Sequence, residues 1–123
     1  MNPKYEELTL REFLTELNSL IHEPVRLGIL TLLLFHDRLP FSIIQNILGV
    51  TSGNLNSHTK KLTEEGLVTI TKTFVDARPR TVIKITPKGR NSLRSYSKQV
   101  VLLLQEVFEE IHLSEDENKQ QIV

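Results

Sequence analysis

A chain of 123 residues, 39% hydrophobic and 24% charged, is sized for one domain around one core. It contains no Cys, which excludes disulfide scaffolds, thiolate metal sites and cysteine nucleophiles. The formal net charge of +0 hides a division: residues 51–90 hold eight Lys/Arg against three Asp/Glu, while both flanks are acidic. No apolar stretch approaches the roughly 18 residues of a membrane span, and the N-terminus carries acids where a signal peptide needs an apolar run. A cytoplasmic protein with no membrane partner is the expectation.

In chain order, residues 6–21 place Leu10, Phe13, Leu14, Leu17 and Ile21 at helical spacing, which predicts a first amphipathic helix. After His22-Glu23-Pro24 the run VRLGILTLLLF is apolar on nearly every side and reads as a central helix with Pro in its first turn. The segment HDRLP ends it. Phe41 to Leu48 then makes about two turns of a third helix, stopped by Gly49, and the turn Gly49-Val50-Thr51 leads into a fourth over residues 52–65.

From Leu67 the pattern changes to β-branched residues in alternation. It predicts a strand to Val75, a break over Asp76-Ala77-Arg78-Pro79, and a second strand over Arg80 to Ile85, together a hairpin with a charged tip. Thr86-Pro87 has the form of an N-cap followed by Pro at the first helical position. The last helix is expected to run to about Ile111, a length of about 37 Å at 1.5 Å per residue. A polar, acidic, frayed tail is expected over 112–123. The fold class is therefore mainly α with a small β-hairpin, as a single domain over 1–111.

The fourth helix, SGNLNSHTKKLTEE, carries unusually little apolar surface. A wheel centred on Leu55 brings Ser52, His58, Thr59 and Leu62 to one side as the expected buried stripe. The other side holds Gly53, Asn54, Asn56, Ser57, Lys60, Lys61 and Glu64. A narrow helix with short donors and acceptors near its N-terminus is what reading duplex DNA in the major groove requires. A plain solvated helix face is the competing explanation of this helix taken alone.

Together these elements resemble the winged helix-turn-helix of MarR-like and ArsR-like transcriptional regulators. The resemblance rests on Glu23-Pro24-Val25-Arg26-Leu27-Gly28-Ile29-Leu30, on Ile43 to Leu62, on Glu64-Glu65-Gly66-Leu67-Val68 and on Ile85-Thr86-Pro87-Lys88-Gly89-Arg90. It implies a winged helix-turn-helix fold with a long C-terminal dimerisation helix, and a sequence-specific regulator of transcription that binds double-stranded DNA as a homodimer. Helix 52–65 becomes the recognition helix, with Ser52, Gly53, Asn54, Asn56 and Ser57 at bases and Lys60 and Lys61 at phosphates. The hairpin, residues 72–84, becomes the wing, with Arg78 and Arg80 on the minor groove or backbone and Asp76 placed to orient Arg78 by an ion pair. Where the group has an apolar residue after His58, this chain has Thr59.

The stripe of Leu93, Tyr96, Val100, Leu103 and Val107 on the last helix is more than a small winged domain covers. With Leu10, Phe13 and Leu17 of the first helix it forms the expected dimer interface, in helices 6–21 and 87–111. A two-fold dimer sets two recognition helices about 34–36 Å apart and calls for a near-palindromic site. Such a fold has room for a small-molecule effector, although no polar cluster identifies one. His22, His36, His58 and His112 share no metal-ligand spacing, and no catalytic constellation is present, so neither metal, cofactor nor enzymatic activity is expected. The rival reading is a winged-helix module for protein–protein contact inside a larger assembly.

Overall fold

The computed structural model describes residues 7–121, with side chains from Leu10 to Asp116. The expected helix start at residue 6 and the last two residues of the tail lie outside this range. The described elements are α1 (Glu7–Glu16), α2 (Pro24–His36), β1 (Arg38–Pro40), α3 (Phe41–Leu48), α4 (Ser52–Glu64), β2 (Val68–Val75), β3 (Arg78–Ile85) and α5 (Pro87–Gln121). Residues 18–94 form one compact unit, and α1 with the part of α5 from Ser95 onward forms a second.

Within the first unit the apolar stripes of α2, α3 and α4 converge on one side of a small sheet. Ile29, Leu30 and Leu33 of α2, Ile44 of α3, Leu55 and Leu62 of α4, and Ile83 of β3 are completely buried, with Val68 and Ile85 closing the base of the hairpin. The sheet is antiparallel in the order β1-β3-β2. β1 had no counterpart in the sequence reading. It is three residues long, too short to show alternation, and it exists because Arg38, Leu39 and Pro40 find Lys84, Ile83 and Val82 opposite them.

Local chemistry sets the helix boundaries. Glu23 caps α2, its carboxylate accepting the Arg26 N–H at 2.7 Å ahead of Pro24 in the first turn. Helix α1 stops at Glu16 rather than continuing to Ile21, because Asn18 turns the chain: its Oδ1 accepts from Leu20 N at 3.1 Å and Ile21 N at 3.2 Å. Ile21 is consequently a core residue of the first unit and not part of a helix. At the other end α5 runs past Ile111 to Gln121. The expected frayed tail from residue 112 is helical to that point, since the segment contains neither Gly nor Pro and is rich in helix formers.

In the second unit Phe13 and Tyr96 are buried, at 8% and 5% exposure, whereas Leu10 and Leu14 of α1 stand in solvent. So do Val101, Leu104, Val107, Phe108 and Ile111 of α5. The Phe108 and His112 rings, one turn apart, meet edge to face with centroids 4.0 Å apart.

Candidate nucleic-acid interface

Helix α4 is held at its start by Thr51, whose hydroxyl accepts the Asn54 N–H at 3.1 Å. Its end is a Schellman motif: Leu67 N donates to Leu62 O at 2.9 Å and Gly66 N to Thr63 O at 3.0 Å, with Gly66 at φ +76° where a side chain would be strained. Between these caps only Leu55, Thr59 and Leu62 are buried. Thr59 fits because its hydroxyl donates to Leu55 O at 2.6 Å, so the buried oxygen is satisfied within its own helix. Ser52, assigned to the stripe from the wheel, is exposed instead: it sits in the first turn, ahead of the part of α4 that meets the core.

His58 lies between the two faces and has a specific task that the sequence did not reveal. Arg26 of α2 brings Nη1 within 2.9 Å of His58 Nδ1. A guanidinium only donates, so Nδ1 is the acceptor and the imidazole proton belongs on Nε2. Arg26 Nε donates in turn to Leu20 O, and Glu23 Oε2 stands 3.5 Å from the same His58 nitrogen. Burial pushes the Glu23 carboxyl up, but the hydrogen bonds from the Arg26 and Val25 amides and the charge of the Arg26 guanidinium outweigh it and hold it below its ordinary value. The group ties α4 through His58 to the start of α2, beside the buried stripe of Leu55, Thr59 and Leu62 that turns the polar residues outward.

Those residues are Ser52, Gly53, Asn54, Asn56, Ser57, Lys60 and Lys61, all exposed. Gly53 is informative. A Cβ there would meet nothing within 4 Å, so the fold itself does not need the glycine. In a helix it costs up to about 1 kcal/mol relative to Ala.

The hairpin turn is tighter than expected. Asp76 and Ala77 alone form it, at φ 52° and 61°, the two positive values of a type I′ turn. Arg78 and Pro79 therefore belong to β3. The expected Asp76–Arg78 ion pair does not form.

Ion pairing sorts the basic segment into two groups. Lys84 and Arg90 are engaged by Asp37, Lys84 Nζ at 3.8 Å and Arg90 Nη2 at 2.9 Å, while Lys88 Nζ donates to Glu65 O at 2.8 Å. These cations lock the base of the wing and the start of α5 to the body. Lys60, Lys61, Lys72, Arg78 and Arg80 make no ion pair among the described residues. Within residues 51–90 the uncommitted charge thus lies on α4 and the outer hairpin.

Asp37 supplies a pH dependence. The hydrogen bond from Arg90, aided by Lys84 and Arg38 and opposed by slight desolvation, lowers its pKa. A carboxyl with a depressed folded pKa contributes stability that is present above the ordinary aspartate value and is lost as pH falls through the folded one. Asp37→Asn is therefore expected to flatten the stability curve below about pH 4 and leave its shape near neutrality unchanged, as read by denaturant melts across pH.

Of the expected interface residues on α1 and α5, Phe13, Leu93 and Tyr96 are buried within the chain. Leu17, Val100 and Leu103 are half-buried, and only Leu10 and Val107 are exposed. No group of three or more His, Asp or Glu able to hold a metal occurs among the described residues. No helix among them is long and apolar enough to cross a membrane.

A helix-turn-helix whose second helix shows only polar side chains and Gly to solvent, followed by a basic hairpin, defines a winged helix-turn-helix protein of the transcriptional-regulator type. The chain belongs to the winged helix DNA-binding domain family, whose model matches residues 25–104. The family is one of DNA-binding regulators and not of enzymes. An uncharacterized protein of Methanocaldococcus jannaschii is 36% identical over 85 residues, covering 69% of this chain and 92% of its own. A transcriptional regulator homologue of Pyrococcus horikoshii is 37% identical and superposes with a TM-score of 0.72 over 80% of this chain and 95% of its own. A MarR-family regulator of Enterococcus faecalis shares the fold at 19% identity, with a TM-score of 0.62 over 92% and 97% of the two chains.

Proposed function

We propose that the protein is a homodimeric, sequence-specific regulator of transcription that lays α4 in the major groove and its wing along the minor groove and backbone. The observation that carries this reading is the placement of the unpaired cations: Lys60, Lys61, Lys72, Arg78 and Arg80 are left on α4 and the hairpin, while the other basic residues of the segment are spent on the fold. Asn54, Asn56 and Ser57 supply short groups for base edges, Asn being suited to bidentate contact with adenine. Gly53, which the fold does not need, allows close approach of backbone to duplex. A module for protein–protein contact has no use for cations concentrated in this way.

The experiment is a titration with random duplex at several salt concentrations. Wild type is expected to bind with a steep salt dependence. Lys60→Ala and Arg78→Ala are each expected to reduce the slope of log affinity against log salt by about 0.9, the value of one phosphate contact. Absence of binding at low salt, or slopes unchanged in both variants, would favour the protein-interaction module.

The dimer is expected to form through α5, with α1 contributing Leu10 and Leu14. Val101, Leu104, Phe108 and Ile111 follow the 3-4-3 spacing of a helix–helix seam and are all exposed. A two-fold pair of winged units in turn calls for a near-palindromic site.

A further inference from the structure

The wing has two unlike faces. Its register pairs Val75 with Arg78 and Thr73 with Arg80 on one side, and Phe74 with Pro79 and Lys72 with Thr81 on the other. The second side is the continuation of the core-facing side, which lower down carries Ile70 opposite Ile83 and Val68 opposite Ile85. Ile83, Val68 and Ile85 are buried, but Phe74 stands beyond the edge of the core at 76% exposure. At that exposure it adds little to the core of its own chain and leaves most of an aromatic ring facing solvent.

Pro79, its cross-strand neighbour, narrows the choice of occupant. β1 reaches only as far as the Pro40–Val82 pair, so around Pro79 the outer edge of β3 has no strand beside it. Pairs in an antiparallel hairpin alternate outward from the turn, which places the Pro79 nitrogen on that free edge. Lacking an N–H, it blunts the edge against an added strand. Unpaired Lys72 shares the face of the apolar pair, and unpaired Arg78 and Arg80 stand on the other face of the same hairpin tip, a setting suited to a polyanion and not to an apolar protein surface.

Phe74 lies two residues behind Asp76, about 7 Å from the turn at strand rise. The minor groove is about 7.5 Å deep. With the turn at the groove floor, the ring stands at the groove mouth, level with the sugars and too far out to enter between base pairs. We propose that Phe74 and Pro79 form an apolar contact face for the deoxyribose wall of one strand, while Arg78 and Arg80 on the opposite face take the phosphates of the other. This rests on the reading of the hairpin as a minor-groove wing.

The test compares full-length wild type with Phe74→Ala, Phe74→Leu and Arg78→Ala, using random duplex at several salt concentrations and sedimentation to follow mass. Phe74→Ala is expected to weaken binding about tenfold with the salt slope unchanged, because an apolar contact releases no counterions. Phe74→Leu is expected to retain most of the affinity. Arg78→Ala is expected to weaken binding and lower the slope by about 0.9. Wild-type affinity in Phe74→Ala beside weakened binding in Arg78→Ala overturns the sugar contact and leaves the wing reading standing. If neither variant weakens binding, the wing reading itself fails. A change of mass in Phe74→Ala instead of affinity overturns the proposal by assigning the ring to a contact between protomers. With Phe74 so exposed, melting curves should coincide with wild type in every case.

Discussion

Gly89→Ala is expected to cost about 3 kcal/mol of stability, a large share of the roughly 5–15 kcal/mol that holds a domain folded. Gly89 is buried in the first turn of α5, and a Cβ built there would overlap the Leu67 carbonyl oxygen and come within 2.9 Å of Ile85 Cγ1. The Leu67 carbonyl has little freedom to retreat. It accepts the Thr86 N–H at 3.0 Å, and the Thr86 hydroxyl, which accepts the Gly89 N–H at 2.9 Å, is shared between the Leu67 and Gly66 carbonyls. Any shift that admits the methyl must break the cap of α5 or open the junction between α4 and β2. Denaturant melts followed by circular dichroism give the measurement. Gly53→Ala, where the added methyl meets only open space, is the internal control and is expected to melt no earlier than wild type. Equal midpoints for Gly89→Ala and wild type would show that the crossing of α5 over Leu67 is looser than described.

Elements written by periodicity or by capping residues were legible in the sequence, and those written by tertiary contact were not. The α3–turn–α4 unit was readable because Gly49 and Thr51 are local signals whose effect does not depend on the rest of the fold. β1 was unreadable because its three residues acquire strand geometry only from β3. The wheel found Leu55, Thr59 and Leu62 on α4, but could not show how Thr59 is satisfied or that Arg26 and Glu23 hold His58. Those two partners are 32 and 35 residues away from it, and a spacing of that size carries no signal in a single sequence. Charge counting located the basic segment correctly, yet it weighted Lys84, Lys88 and Arg90 equally with Lys60 and Arg78. Only Asp37 and the Glu65 carbonyl separate the cations that build the wing from those left unpaired.

The same limitation bears on the face of α5, where the sequence offers two stripes at helical spacing, one position apart and therefore about 100° apart around the axis. Leu93, Tyr96, Val100 and Leu103 form the first, and the chain itself covers it wholly or partly. Val101, Leu104, Phe108 and Ile111 form the second, exposed at 50%, 56%, 63% and 53%. Four large apolar side chains in a row are more than isolated exposed residues, and burying them against a second copy recovers the hydrophobic gain the chain alone leaves unrealised. The double variant Leu104→Glu/Phe108→Glu is accordingly expected to sediment as a monomer, because a two-fold seam would have to desolvate four unpaired carboxylates. Its winged unit should melt as in wild type, since neither residue is covered within the chain. Affinity for a near-palindromic site should fall by about 10²–10⁴, the advantage that linking two half-site contacts confers. Affinity for random duplex at low salt should fall less for this variant than for Arg78→Ala in the dimer, if each protomer keeps its own cations. A dimeric mass for the variant would move the interface to another face, and a monomer with undiminished affinity for the palindrome would remove dimerisation from the mechanism of recognition.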